Sequence, residues 1–216
     1  MDPKIKQKIL KILKELYPEV RSELDFENKY QLVVAVSLSA QCTDKRVNQE
    51  TPALFKKYPD FKSLAAARIS SIEKIIRPIN YYKTKSKHLK AMAEMVINDF
   101  GGSLPENMPD LEKLPGVGHK TASVVMVESG VPAIPVDTHV FRVSNRLGFS
   151  NGKNVKEVEA DLRSGFPEKL WRELHHRLIF HGRRVCKARN PLCGECKIEK
   201  LCSYAKENTL EKKAKQ

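Results

Sequence analysis

The sequence lacks any long hydrophobic run, and this absence limits the kinds of protein that it can encode. The longest apolar-rich stretch, Leu32 to Ala40, is interrupted by Ser37 and Ser39 and is too short to span a bilayer. The amino-terminal segment mixes lysines with isoleucines and shows no continuous apolar core of a signal peptide. We therefore expect a soluble, cytoplasmic protein that does not enter a membrane.

The sequence also shows no convincing β-strand pattern, no internal repeat and no low-complexity linker. Apolar residues recur instead at helical spacing, and one clear stripe consists of Leu89, Met92, Ala93, Val96 and Ile97. The apolar, partly β-branched stretch from Tyr30 to Ala40 would also allow a strand, but its length favours a buried helix. Pro52 is expected to break a helix predicted for residues 44–58. The predicted fold class is all-α.

Acidic residues are scarce relative to basic ones. The chain of 216 residues has 26 Asp and Glu against 39 Lys and Arg, which gives a net charge of +13. An excess of this sign favours a polyanionic partner, such as nucleic acid or an anionic membrane surface, but it does not select a fold. The length allows one large domain or two small ones, each with its own core.

Residues 114–120, Leu-Pro-Gly-Val-Gly-His-Lys, combine a glycine turn with the predicted start of a helix. Gly116 and Gly118 let the backbone turn tightly and approach a ligand closely. A helix that begins after Gly118 would present unpaired amides to a phosphate. Its dipole would lower the pKa of Lys120 in the first turn and favour a neutral, nucleophilic amine. A simple helix–helix turn with a solvated lysine is the alternative.

Four of the five cysteines fall within one short segment, and Cys42 stands apart. The four, spaced Cys-x6-Cys-x2-Cys-x5-Cys, are Cys186, Cys193, Cys196 and Cys202. Four thiolates can hold one tetrahedral zinc or one [4Fe–4S] cluster, and unliganded thiols are a further alternative. Zinc ribbons usually have two Cys-x2-Cys pairs, so the single pair here favours iron–sulfur. Four flanking residues could offset the cluster's charge or reach phosphates: Arg183, Arg184, Lys187 and Arg189.

These motifs together resemble those of endonuclease III, a family of bifunctional DNA glycosylases in the helix–hairpin–helix superfamily. The similarity lies in the glycine turn with Lys120, in the Gly130–Pro135 loop that precedes Asp137, and in the cysteine spacing. Residues 38–44, Leu-Ser-Ala-Gln-Cys-Thr-Asp, are similar to the family's DNA-probing loop. The resemblance covers nearly the whole chain, from about Lys8 to Tyr204.

The resemblance implies two helical lobes with a DNA-binding cleft between them. Residues 22–131 would form a six-helix barrel with the helix–hairpin–helix, and residues 1–21 and 132–216 would form an iron–sulfur lobe. The implied cofactor is a [4Fe–4S] cluster held by the four clustered cysteines. The implied partner of this monomeric, nucleoid-associated enzyme is double-stranded DNA with damaged pyrimidines or abasic sites. It would remove oxidised or ring-saturated pyrimidines and then cut the strand through a Schiff base.

The resemblance also implies catalytic roles for Lys120 and Asp137. Lys120 would attack C1′ of the sugar as the base departs. Asp137 would stabilise the oxocarbenium-like transition state and accept a proton from the lysine. Asp137 could also simply be the N-cap of a helix that begins at Thr138, and the two roles are compatible.

DNA contacts are implied for six residues: Gln41, Tyr81, Lys83, Gly116, Gly118 and His119. Gln41 would bind the orphaned base, and Tyr81 would stack in the gap left by the flipped nucleotide, unless it packs on the following helix. The two glycines would present amides to a phosphate. Two positions depart from the family: Cys42 replaces a frequent alanine, and Tyr81 replaces an aliphatic wedge.

Other basic residues allow two explanations each. Lys85, Lys87 and His88, with Lys83, could contact phosphates or form a solvated face. Four histidines could suggest a second metal site, although packing or phosphate binding is the preferred explanation: His139, His175, His176 and His181.

Two other functions account for parts of the sequence. One is a mismatch-specific glycosylase of the same fold, for adenine or thymine, although neither is expected to carry a lysine at position 120. The other is a non-catalytic helix–hairpin–helix DNA-binding module with a structural metal, which leaves Lys120 and Asp137 unexplained.

Overall fold

The computed structural model of the chain describes residues 1–207, and every regular element in this range is helical. The predicted all-α fold class is therefore confirmed. The α-helices are α1 (Pro3–Leu16), α2 (Lys29–Ser39), α3 (Asp44–Lys57), α4 (Phe61–Ala65), α5 (Ile69–Ile76), α6 (Tyr82–Asp99), α7 (Met108–Leu111), α8 (His119–Glu128), α9 (Thr138–Leu147), α10 (Val155–Gly165) and α11 (Trp171–Arg184). Short 3-10 segments occupy Glu168–Leu170, Cys193–Glu195 and Glu199–Leu201.

Side chains placed just before the helices determine where several of them begin. Asn28 accepts a hydrogen bond from the Gln31 amide at 2.9 Å at the start of α2, and Asn154 accepts one from Glu157 at 3.0 Å at the start of α10. Each bond satisfies an amide that has no partner within its own helix.

The chain divides into two compact units, and the first consists of Ser22–Val131. Its centre is α2, in which Leu32, Val33 and Val34 are almost completely buried. Helices α3, α6 and α8 pack against α2. The prediction that this apolar stretch is a buried helix rather than a strand is confirmed.

Pro52 lies inside α3, which continues without a break from Asp44 to Lys57. The expected interruption at this proline is therefore wrong. A proline removes one helical hydrogen bond, but here Thr51 and Leu54 are buried in the core on both sides of it. That burial holds the helix together across the missing bond.

The second unit consists of Met1–Arg21 and Pro132–Gln216, of which residues up to 207 are described. Helix α1 contributes Ile9 and Leu13, both fully buried, to a core shared with α9, α10 and α11. In the same core the Trp171 indole donates to the Phe166 carbonyl oxygen at 2.9 Å. Among the described residues, no helix combines the length and the apolar character needed to cross a membrane.

Candidate active-site elements and cysteine cluster

The turn before α8 depends on Gly116. This residue has φ +81, in the left-handed region, and a Cβ built on it would lie 3.0 Å from His88 Cβ. Any side chain here would meet both backbone strain and a close contact. The Val117 amide closes the turn by donating to the Leu114 carbonyl oxygen at 3.0 Å.

Gly118 is the N-cap of α8, and His119 and Lys120 occupy the first turn. A Cβ built on Gly118 would have no heavy atom within 4 Å, so the space beside it is open. His119 and Lys120 are both exposed, and His119 Nδ1 lies 2.7 Å from Glu112 Oε1. The turn thus joins a helix N-terminus, open space and an exposed lysine, the combination that the sequence suggested for an anion site with a nucleophile.

Asp137 is the N-cap of α9, in the second unit. Its Oδ1 atom accepts hydrogen bonds from the backbone amides of His139 and Val140, both at 2.8 Å. Because one oxygen takes both amides, the carboxylate is held in a fixed orientation and Oδ2 remains for another partner. The capping role is thus present in the structure, and it leaves a catalytic role possible.

Gln41 and Tyr81 are both exposed, and each lies at the end of a helix. Gln41 follows α2, and Tyr81 is the N-cap of α6. Lys83 is an exposed residue of the first turn of α6, consistent with a phosphate contact. Lys85, two residues further on, is buried, and its ammonium donates to backbone carbonyl oxygens, so it does not contact phosphates as the sequence had allowed.

The four clustered cysteines line one cavity together with residues of α9 and α11. None of the four forms a disulfide bond, and no three of the described His, Cys, Asp or Glu side chains group around one point where a single metal ion would bind. Burial raises the pKa of the Cys196 and Cys202 thiols. Because burial disfavours the thiolate form, buried cysteine ligands need a positive charge beside them, and bound iron supplies that charge. Thiols arranged around a cavity suit a multi-iron cluster.

Arg146 of α9 approaches the cysteine segment directly. Its Nη1 atom donates to Cys186 Sγ at 3.5 Å and to the Lys187 carbonyl oxygen at 2.7 Å. The guanidinium also lies 4.5 Å from the centre of the Tyr204 ring. Of the flanking basic residues considered from the sequence, Arg184 packs over two aromatic rings instead.

The histidines of α11 pack against neighbouring groups of the core, and the His175 and His176 rings contact each other with their centres 5.1 Å apart. His175 Nδ1 lies 2.8 Å from the Pro135 carbonyl oxygen. His181 is 1% exposed, with Nδ1 at 3.2 Å from the Tyr17 hydroxyl and Nε2 at 3.7 Å from Cys196 Sγ. Burial lowers the pKa of His181 to about 4, so its ring is neutral at neutral pH. These contacts agree with the preferred packing explanation.

Comparison with known proteins identifies the family. Residues 34–168 match the family model of HhH-GPD superfamily base excision DNA repair proteins. Endonuclease III of Bacillus subtilis (strain 168) is 47% identical over 190 residues, which cover 87% of this chain and 87% of the relative. Endonuclease III of Synechocystis sp. is 44% identical over 199 residues, 91% of each chain. The chain belongs to the endonuclease III family.

A solved structure supports the same assignment at the level of the fold. It is a trapped covalent intermediate of endonuclease III with DNA, 41% identical, with a TM-score of 0.89 over 97% of this chain and 99% of that chain. As a member of the endonuclease III family, the protein is a DNA glycosylase and lyase of base excision repair that acts on damaged pyrimidines. Its partner is DNA.

The cysteine segment has its own match. Residues 186–202 correspond to the iron–sulfur binding domain of endonuclease III. The chain therefore carries the [4Fe–4S] cluster of the endonuclease III family, and the preference for iron–sulfur over zinc is confirmed.

The sequence did not predict the structural contacts of Lys85 with backbone carbonyl oxygens or of Arg146 with the cysteine segment. A signal for Lys85 was present, since it lies one helical turn before Leu89 and so continues the apolar stripe of α6. Arg146 has no comparable local signal, because its contacts join α9 to a segment about 40 residues away in the chain.

Proposed function

We propose that Lys120 is the nucleophile that displaces the damaged base, and that the Schiff base it then forms makes strand cleavage possible. Its Nζ, as a neutral amine, forms a bond to C1′ of the sugar while the bond from C1′ to the damaged base breaks and the base leaves. The sugar ring then opens, and the adduct becomes a Schiff base. This iminium acidifies a C2′ proton, whose loss expels the 3′ phosphate and cuts the strand. The observation that carries the proposal is the exposed place of Lys120 in the first turn after Gly118.

Asp137 is proposed to assist the first of these steps. A carboxylate near C1′ stabilises the positive charge that develops as the base departs, and it can take a proton from the lysine ammonium. The two amide bonds to Oδ1 keep the group oriented, so that little reorganisation is needed during the reaction.

The remaining proposed contacts fix the DNA in place. Gln41 pairs with the orphaned base, and Tyr81, a flat ring that is 65% exposed, stacks in the gap. Amides at Gly116 and Gly118 bind a backbone phosphate. Two further cationic or hydrogen-bonding side chains lie on the same unit and extend this contact: Lys83 and His119.

The four clustered cysteines are the proposed cluster ligands: Cys186, Cys193, Cys196 and Cys202. Their common cavity supports this, as does the donation from Arg146 to a cysteine sulfur. Residues 1–21 and 132–216 would then be the iron–sulfur lobe, and residues 22–131 the lobe with the helix–hairpin–helix. When bound, the cluster supplies a negatively charged, rigid centre that orders this segment.

The proposed substrates are oxidised or ring-saturated pyrimidines in double-stranded DNA, processed by a monomer at the nucleoid in the cytoplasm. A panel of duplexes that differ only in the central base tests the substrate class. Oxidised and ring-saturated pyrimidines should be excised and the strand cut, whereas a thymine–guanine mismatch and an undamaged duplex should remain intact. Excision of only the mismatched base would instead favour a mismatch-specific glycosylase.

A further inference from the structure

Gln41 and Tyr81 share an unusual backbone conformation. Gln41 has φ +54 and Tyr81 has φ +60, and both lie in the left-handed region that residues other than glycine rarely adopt. Both side chains are exposed, so neither is held there by burial of its own side chain. A disfavoured conformation persists only where neighbouring groups fix it. The contacts of the two turns show which groups do so.

Lys85 fixes the end of α2, directly before Gln41. Its Nζ atom donates to the carbonyl oxygens of Leu38 at 2.8 Å and Ala40 at 2.6 Å. The last carbonyls of a helix have no partner within it, and a cation is favourable at this end of the helix dipole. Lys85 is only 9% exposed, so water competes little for these bonds.

Lys85 also contacts the turn that contains Tyr81. The backbone amide of Lys85 donates to the Tyr81 carbonyl oxygen at 3.0 Å, which is the first hydrogen bond of α6. Lys85 therefore joins both turns, one through its side chain and the other through its backbone.

Asn80 links the two turns directly. Its Nδ2 atom donates to the Gln41 carbonyl oxygen at 2.7 Å, and Asn80 immediately precedes Tyr81. This bond fixes the peptide group of one exposed residue relative to the backbone of the other.

We propose that Lys85 and Asn80 are positioning residues that hold Gln41 and Tyr81 as one preformed pair before DNA is bound. The inference rests on the proposed function, because it takes the gap-filling roles of Gln41 and Tyr81 as given. Lys85 and Asn80 act through these two residues and make no DNA contact of their own. Ordering the pair in the free enzyme removes part of the entropy cost of entering the duplex. The effect should therefore appear only where a gap in a duplex has to be filled.

A mutant cycle tests this coupling. Lys85→Met and Asn80→Ala are measured in single-turnover excision of a damaged pyrimidine from duplex DNA, each alone and in a Gln41→Ala/Tyr81→Ala background. In the otherwise unchanged enzyme we expect a loss of about tenfold for each, typical of coupled neighbours. In the double-alanine background the further loss should be under about twofold, because nothing remains to be positioned.

Lys90→Met is the matched control. Lys90 also lies in α6, and its Nζ also donates to a backbone carbonyl oxygen, that of Ala65, but it contacts neither turn. It should leave the excision rate within about twofold of the unchanged enzyme, because it shares no partner with the pair. Asn80 is exposed, so Asn80→Ala keeps the test informative if Lys85→Met fails to fold.

A second substrate separates this inference from the proposed function. Single-stranded DNA with an abasic site has no opposite strand and therefore no gap in a duplex that must be filled. Borohydride should therefore trap the covalent DNA adducts of Lys85→Met and Asn80→Ala as fast as that of the unchanged enzyme. The inference would be overturned if Lys85→Met and Asn80→Ala slowed trapping on this substrate as much as they slow excision from the duplex. It would also be overturned if they slowed excision by the full tenfold in the double-alanine background, or if they did not slow excision in the otherwise unchanged enzyme. Failure of the unchanged enzyme to form the adduct would instead contradict the role of Lys120.

Discussion

Gly116 lies against His88 so closely that a Cβ on the glycine would come within 3.0 Å of His88 Cβ. Gly116→Ala should therefore destabilise the protein, by roughly 1–2 kcal/mol from the left-handed backbone alone, with the contact adding to it. Chemical unfolding followed by circular dichroism measures this loss.

Gly118→Ser provides the contrasting variant for the same turn. Gly118 has φ −90 and open space beside it, and serine is a good N-cap, so stability should be unchanged or slightly higher. Its hydroxyl would compete with a phosphate for the helix amides, so DNA affinity should fall. Unchanged affinity in this variant would contradict phosphate binding at the turn.

Asp137→Asn separates capping from catalysis. Asparagine is about as good an N-cap as aspartate, so the free energy of unfolding should change by well under about 1 kcal/mol. Loss of the charge and of the proton acceptor should slow base excision by on the order of 10²-fold or more. Cleavage at a pre-made abasic site should suffer less, because no base departs there. Full excision activity in the folded variant would reduce Asp137 to a structural cap.

The helix ends were predictable where a capping side chain stands directly before an apolar pattern. Asp137 caps α9, and the helix start that the sequence predicted at Thr138 matches the structure. The break expected at Pro52 did not occur, since a local rule cannot include the burial of the surrounding residues.

The candidate site was predictable in its motifs and less so in its supporting contacts. Cysteine spacing and the glycine turn are local patterns, and both led to the right family. The buried ammonium of Lys85 and the left-handed conformations of Gln41 and Tyr81 depend on tertiary contacts. Lysine is usually solvated and non-glycine residues usually avoid that conformation, so sequence rules favour the opposite in each case.

The cysteine assignments predict different iron contents for two kinds of variant. Replacement of Cys193 or Cys196 by alanine should lower the iron and sulfide content well below the about four of each expected per chain. Cys42→Ala is the control and should retain the full content, because Cys42 lies in the other unit. Metal analysis and the visible absorption of the purified proteins decide between these outcomes. Loss of iron in the Cys42 variant would show that the ligand set is wrong.

DNA binding should weaken steeply as salt is added. If about five phosphates are contacted, the logarithm of the binding constant should fall against that of the salt concentration with a slope near −4 to −5. Lys83→Gln should reduce the magnitude of this slope by about 0.9, the value for one lost phosphate contact. Lys62→Gln in α4, which carries none of the proposed contacts, should leave the slope as it is. An unaltered slope for Lys83→Gln would remove this residue from the interface.

The central claim is that Lys120 forms the covalent bond to the sugar, and borohydride trapping on abasic-site DNA tests it most directly. The unchanged enzyme and the Lys113→Gln control, which alters an exposed lysine just before the turn, should both give a stable protein–DNA adduct. Lys120→Gln should still bind the DNA but give neither adduct nor strand cleavage. An adduct formed by Lys120→Gln at close to the unchanged rate would contradict the account.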